Sequence, residues 1–175
     1  STNLSNVYAI GDCAEHQNPP NNRPKIESIW YSGKLMGETV AKTICGSKSK
    51  YKPGHWFNSA KFLDIEYQIY GQVNNIKSIS KENTQFNWTN NSKSINITIQ
   101  YIKSNHQITG ISALGMRLRQ EVIHDWFDEK KDIHFTIKNF DKILFDPEFS
   151  TNYNNQIINK YHQTFKVNLQ LKSNK

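Results

Sequence analysis

Hydrophobic and polar positions change rhythm along the chain, and each rhythm predicts a different element. Residues 7–10 (Val-Tyr-Ala-Ile) form a short continuous apolar run, the pattern of a strand buried on both faces, and it stops at Gly11-Asp12. A polar loop with Pro19, Pro20 and Pro24 follows, which cannot be helical throughout. From 28 to 44, Ile29, Gly33, Met36, Val40 and Ile44 recur at steps of three or four. They predict a helix with Ser28 as N-cap and Gly46 as its stop. Gly33 and Gly37 stand one turn apart on it, each costing about 1 kcal/mol relative to Ala, and leave a bare surface for close approach. Strand, sharp turn, loop and helix together read as the closing piece of an α/β unit.

Residues 46–54 are polar and rich in Lys and Ser, and predict a linker. Beyond it the rhythm alternates. Residues 62–73 (Ile65, Tyr67 and Ile69, ended by Gly71), 85–89, 94–102 (Ile95, Ile97, Ile99, Tyr101) and 108–114 predict successive strands of an antiparallel meander. Turns fall at Asn90-Asn91-Ser92-Lys93 and at Ser104-Asn105. A helical rhythm then returns at 117–128, with Leu118, Val122, Ile123 and Trp126 on one face, and at 133–140, broken by Asp146-Pro147-Glu148-Phe149. Residues 153–165 carry Ile157, Ile158, Tyr161 and Phe165 as a last amphipathic helix. The expected fold class is α+β, an antiparallel sheet with flanking helices preceded by the strand-turn-helix remnant. The expected domains are 1–50 and 51–175.

Composition narrows the function classes. Mean hydropathy is −0.73, yet 12% of the 175 residues are aromatic, enough to build a core and to argue against long disorder. A net charge of +7 invites a nucleic-acid reading, but only Arg23, Arg117 and Arg119 are arginines among 22 basic residues. The lysines are scattered, and no helix-turn-helix, zinc-finger or RNA-binding spacing accompanies them, so no nucleic-acid partner is expected. No run of 18 apolar residues occurs, so no membrane partner is expected, and no leader pattern opens the chain. Cys13 and Cys45 form no C-x-x-C pair. A helix of some sixteen residues would hold them about 25 Å apart, too far for a disulfide. Four N-x-[ST] sequons are what chance gives so Asn-rich a chain. A reducing, cytoplasmic setting is expected.

The first segment carries the chemistry. Thr2, Val7, Tyr8, Ala9, Gly11 and Asp12 fill the pattern T-x-x-x-x-(I/V)-(Y/F)-A-x-G-D without departure. This resembles the second flavin-binding motif of the FAD-dependent pyridine nucleotide-disulfide oxidoreductases, whose relatives include NADH oxidases and nitrite or rubredoxin reductases. The resemblance covers about the first fifty residues well; the stretch from Trp56 to Gly71 looks like the start of the domain that follows in that family. It implies that residues 1–50 end a FAD-binding domain and 51–175 form an α+β C-terminal or interface domain. It also implies that Asp12 accepts a hydrogen bond from a ribitol hydroxyl while Gly11 lets backbone approach the cofactor. Ile29 and Trp30 then stand at the helix N-terminus that faces the isoalloxazine, where partial positive charge favours a reduced flavin.

No G-x-G-x-x-G occurs, so neither half of a dinucleotide has its phosphate cradle here. The expected parent passes hydride from NAD(P)H to FAD. This chain alone is expected to bind FAD weakly or not at all, its partners being a missing N-terminal FAD- and NAD-binding portion and, through the C-terminal domain, a second copy. Cys13 is expected as a small buried residue beside the turn, and Cys45 as inert. His124 and Glu129 match the spacing of an acid/base pair in the dithiol branch of the family, but Asp-Trp-Phe-Asp between them reads as continuous helix, so no catalytic residue and no metal site are expected. Tyr67, Tyr70, Trp88, Tyr101 and Trp126 read as sheet core, or as an aromatic partner surface. The runner-up function is a free-standing α+β protein-interaction domain without redox activity.

Overall fold

A computed structural model describes residues 1–20, 23–92, 94–146, 148 and 151–165. The chain divides into two compact units, Ser1–Asn58 and Ser59–Lys175.

In the first unit, residues 7–10 join no sheet, Ile10 is extended, and Val7 and Ile10 are 44% and 39% exposed. This corrects the expected buried strand: a strand is buried by its neighbours, and none of the described residues pairs with this one. A 3-10 turn, Gly11–Cys13, follows the run, and α1 spans Trp30–Ile44. The helix starts after Ile29, whose extended backbone makes it the N-cap, and no side chain caps it. Ser28 is therefore not the cap. The C-terminal end follows expectation. The Ser47 N–H donates to Lys42 O (2.8 Å) and Gly46 N–H to Thr43 O (3.1 Å), with Gly46 at φ +91°. These are the two bonds of a Schellman ending, which needs a left-handed residue at Gly46.

The second unit is α+β. Strands β1 (Phe57–Phe62), β2 (Ile65–Gly71), β3 (Asn83–Thr89), β4 (Asn96–Ile102) and β5 (Ile108–Leu114) form one sheet in the order β1-β2-β5-β4-β3. Only β3, β4 and β5 form a meander; β2 lies antiparallel to β5, so the expected succession is corrected there. The segment from 72 to 82 carries the crossover. Gln72 N–H donates to Thr109 O (2.8 Å), and the Asn74 N–H to the buried Gln100 Oε1 (2.9 Å). Gln72 backbone rests on Gly110 so closely that no Cβ would fit there.

Of the two tyrosines read as sheet core in β2, Tyr70 is buried and Tyr67 only half-buried. Gln68 and Tyr70 point into the core, while Ile65, Tyr67 and Ile69 lie on the open face. Gln68 survives burial because its Oε1 accepts the Leu118 N–H at 2.7 Å and lies 3.0 Å from the Tyr70 hydroxyl. Tyr70, Trp88, Tyr101 and Trp126 are core residues.

Helices α2 (Gln120–Asp128), α3 (Ile133–Lys138) and α4 (Asn154–Phe165) carry the buried Ile123, Trp126, Phe127, Ile133, Ile137, Ile157, Ile158 and Tyr161. α2 begins later than expected, because Leu118 bridges to Leu144 in extended form and Arg119 is extended too. The Asp132 carboxylate caps α3, accepting the Phe135 N–H at 2.7 Å, and Phe140–Ile143 continues as a 3-10 turn. Of the expected turn and breaker residues, Lys93, Pro147 and Phe149 lie outside the described residues. No helix among the described residues is long and apolar enough to cross a membrane.

Candidate flavin-motif site

Thr2 has a local task that the sequence pattern left unexplained. Its backbone N–H and its hydroxyl both donate to Val7 O, at 2.9 and 3.1 Å, and close a turn around Asn6 at φ +61°. That closure requires the five-residue spacing between the Thr and the Val. The run then delivers Gly11 at φ +76°, with open space where a Cβ would be, followed by an exposed Asp12.

The turn rests on the glycine face of α1. The Gly11 N–H donates to Met36 Sδ at 3.3 Å, and a Cβ built on Gly33 would lie 3.9 Å from Gly11 Cα. A Cβ on Gly37 would meet Ile10 at the same distance. What approaches the bare stripe is therefore the motif's own turn, at ordinary contact distance. Ile29 is half-buried at the start of α1; Trp30 is 69% exposed, edge-on to Tyr31, with Lys34 Nζ 5.4 Å from its ring centroid. A left-handed glycine, a free-standing carboxylate, an uncapped helix start and an exposed indole are donor, acceptor and stacking groups suited to a polyol-linked planar cofactor.

Cys13 is exposed, contrary to expectation, because the 3-10 turn directs it outward; its thiol lies 3.5 Å from Ile10 O. Cys45 is also free and exposed. His124 is half-buried, edge-on to Tyr70 and beside Phe127, while the Glu129 carboxylate lies 3.0 Å from Lys131 Nζ. Among the described residues no cluster of His, Cys, Asp or Glu could hold a metal ion.

Sequence reasoning missed a buried polar cluster under the loop that leads into α1. Arg23 Nε lies 3.1 Å from Glu27 Oε1, and both side chains are nearly inaccessible. The Tyr51 hydroxyl donates to Glu27 Oε2 at 2.9 Å, His16 stacks on Tyr51, and the Arg23 guanidinium lies 5.0 Å from the Trp56 ring centroid. Burial first, then the bond to Glu27, raises the Tyr51 phenol above its usual value. The expected linker is thus pinned to the loop, which is why residues 46–54 do not behave as a free spacer.

Over 73 residues, 40% of this chain, the sequence is 40% identical to a ferredoxin–NAD(P)(+) reductase of Sphingomonas sp., and the match takes up 17% of that protein. The fold is similar to a NAD-dependent persulfide reductase from A. fulgidus, with a TM-score of 0.63 at 15% identity, over 91% of this chain and 32% of that one. It is also similar to a FAD-dependent pyridine nucleotide-disulphide oxidoreductase from Desulfovibrio vulgaris, with a TM-score of 0.57 at 11% identity, over 88% and 38%. The likeness is to the pyridine nucleotide-disulfide oxidoreductases. No family model matches the chain. The chain spans well under half the length of each of these oxidoreductases, consistent with a C-terminal portion of one.

Proposed function

We propose that this chain is the C-terminal portion of a FAD-dependent NAD(P)H oxidoreductase. Residues 1–50 contribute the end of the FAD-binding domain and 51–175 an α+β interface domain. The observation that carries this reading is the left-handed Gly11 with its exposed Asp12, seated on the glycine face of α1. Asp12 accepts a ribitol hydroxyl, Gly11 admits the cofactor close to backbone, and Ile29 and Trp30 present the first N–H groups of α1 to the isoalloxazine. FAD, when bound, supplies the two-electron chemistry, taking hydride from NAD(P)H. The residues here bind and orient; the phosphate cradles come from the portion that carries the glycine loops. A cytoplasmic setting and homodimerisation through the second unit belong to the same reading.

Flavin absorbance tests it directly. The purified chain is expected to be colourless, and a stoichiometric yellow complex of the chain alone would overturn the reading. The coding sequence upstream of Ser1 is expected to carry two glycine loops, and a start codon immediately before it would equally sink the proposal.

A further inference from the structure

Glu27 is inaccessible to solvent and stands just before Ile29, the N-cap of α1. Its Oε2 accepts the Tyr51 hydroxyl at 2.9 Å. Its Oε1 faces Arg23 Nε at 3.1 Å but accepts no hydrogen bond among the described residues, so charge alone holds that side. A charge attracts over a wide range of angles, whereas a hydroxyl donor fixes one. Tyr51 is therefore the group that orients the carboxylate. The same phenol also reaches forward, because the Ser32 hydroxyl hydrogen-bonds it as a donor. Ser32 is buried in the first turn of α1. Tyr51 is itself held from two sides. Its ring stacks on His16 with 5.4 Å between centroids, and the Ser49 N–H just before it donates to Thr43 Oγ1 at 3.1 Å. One hydroxyl thus joins the segment before α1 to the first turn of that helix. No side chain caps this start, so its first N–H groups have no partner within the helix.

We propose that Tyr51 is a positioning residue for the flavin: by joining Glu27 to Ser32 it holds the first turn of α1 and sets where the free N–H groups of that turn point. The proposal rests on the reading of residues 1–50 as the end of a FAD-binding domain. It adds a side chain from the stretch expected as a linker. The consequence is a reduction potential. N–H groups aimed at the isoalloxazine carry partial positive charge and favour its reduced, anionic form, so a loosened turn makes reduction less favourable. Loss of the Tyr51 hydroxyl also leaves the Glu27 charge less compensated, which acts in the same direction. Ser32 separates the two effects, because its removal leaves the bond between Tyr51 and Glu27 in place.

Amide hydrogen exchange on this chain and flavin potentiometry on the longer protein encoded with it are the test. Tyr51→Phe keeps the ring on His16, and both it and Ser32→Ala are expected to speed exchange at the Gly33 N–H, which donates to Ile29 O at 3.1 Å. In the flavin-bound longer protein both variants are expected to shift the midpoint potential to more negative values. Thr43→Val is the structural control: it breaks the Ser49 bond at the other end of α1 and lowers the urea midpoint, yet leaves Gly33 exchange and the potential unchanged. Unchanged Gly33 exchange in Tyr51→Phe overturns the proposal. So does a potential shifted by Tyr51→Phe but not by Ser32→Ala, which would be the Glu27 charge acting without the turn. An equal shift in Thr43→Val would mean a loss of stability only, and overturns it as well. A longer protein that binds no flavin overturns the reading of residues 1–50 instead, and exchange in this chain still decides whether Tyr51 holds the turn.

Discussion

Arg23 and Glu27 place two full charges inside a unit whose other buried residues, among those described, are Ala14, Ser32 and Met36. Their attraction is strong only because both are withdrawn from water, and the same withdrawal makes either one costly alone. Glu27→Ala is expected to destabilise the first unit by about 3–5 kcal/mol, because it leaves the guanidinium buried and uncompensated. The double variant Arg23→Met with Glu27→Leu is expected to recover most of that loss. Urea unfolding followed at Trp56, whose ring lies under Arg23, measures both. A Glu27→Ala midpoint indistinguishable from wild type would show that the pair is not buried as described. Nothing in the sequence marked this cluster. Its charges are four apart in a proline-bearing loop where no helix is expected, and Tyr51 closes it from 24 residues away. Gly11 was legible, because the backbone demand at a left-handed turn restricts the residue types that can stand there.

At the level of elements, two glycines that look alike in sequence have opposite tasks. Gly37 lies in α1 with its nearest neighbour at 3.9 Å, so Gly37→Ala is expected to stabilise the helix by up to about 1 kcal/mol. Gly110 lies in β5 under the backbone of Gln72, which cannot step aside, so Gly110→Ala is expected to cost about 1–3 kcal/mol or more. Thermal unfolding of the two variants checks the contrast, and equal shifts would contradict it. The same contrast explains what periodicity revealed and what it did not. Alternation found β3, β4 and β5 because their neighbours in sequence are neighbours in the sheet. It missed the strand β1, and in β2 it picked out Ile65, Tyr67 and Ile69 but not the buried Gln68. There the buried position is Gln68, whose amide is paid for by partners fifty residues away. Period two reports that a segment is pleated; long-range hydrogen bonds decide which face is wet.

Over the whole molecule, phenols wholly or partly withdrawn from water link both units to pH. Tyr51 in the first unit and Tyr101 and Tyr161 in the second are all raised above the ordinary value of 10.0, with burial as the leading cause in each. Tyr161 is the extreme case; its ring is inaccessible and its hydroxyl lies 2.7 Å from His134 Nδ1. The folded state thus favours the neutral phenol, and the unfolded chain gives up its protons first as pH rises. The stability these groups contribute is therefore fully present below pH 10.0 and is lost as pH climbs through the raised values. The first unit is expected to yield at lower pH than the second. Its buried apolar side chains, among the described residues, are only Ala14 and Met36, whereas the second unit holds its phenols in a core of aromatic and aliphatic residues. Phenolate absorbance recorded beside circular dichroism tests this. Part of the phenolate signal is expected to appear only as structure is lost, in two steps, and Tyr161→Phe is expected to diminish the later step alone. A single reversible phenolate step with an unchanged dichroism spectrum would mean that these hydroxyls reach solvent without unfolding, and that the core described here is not closed.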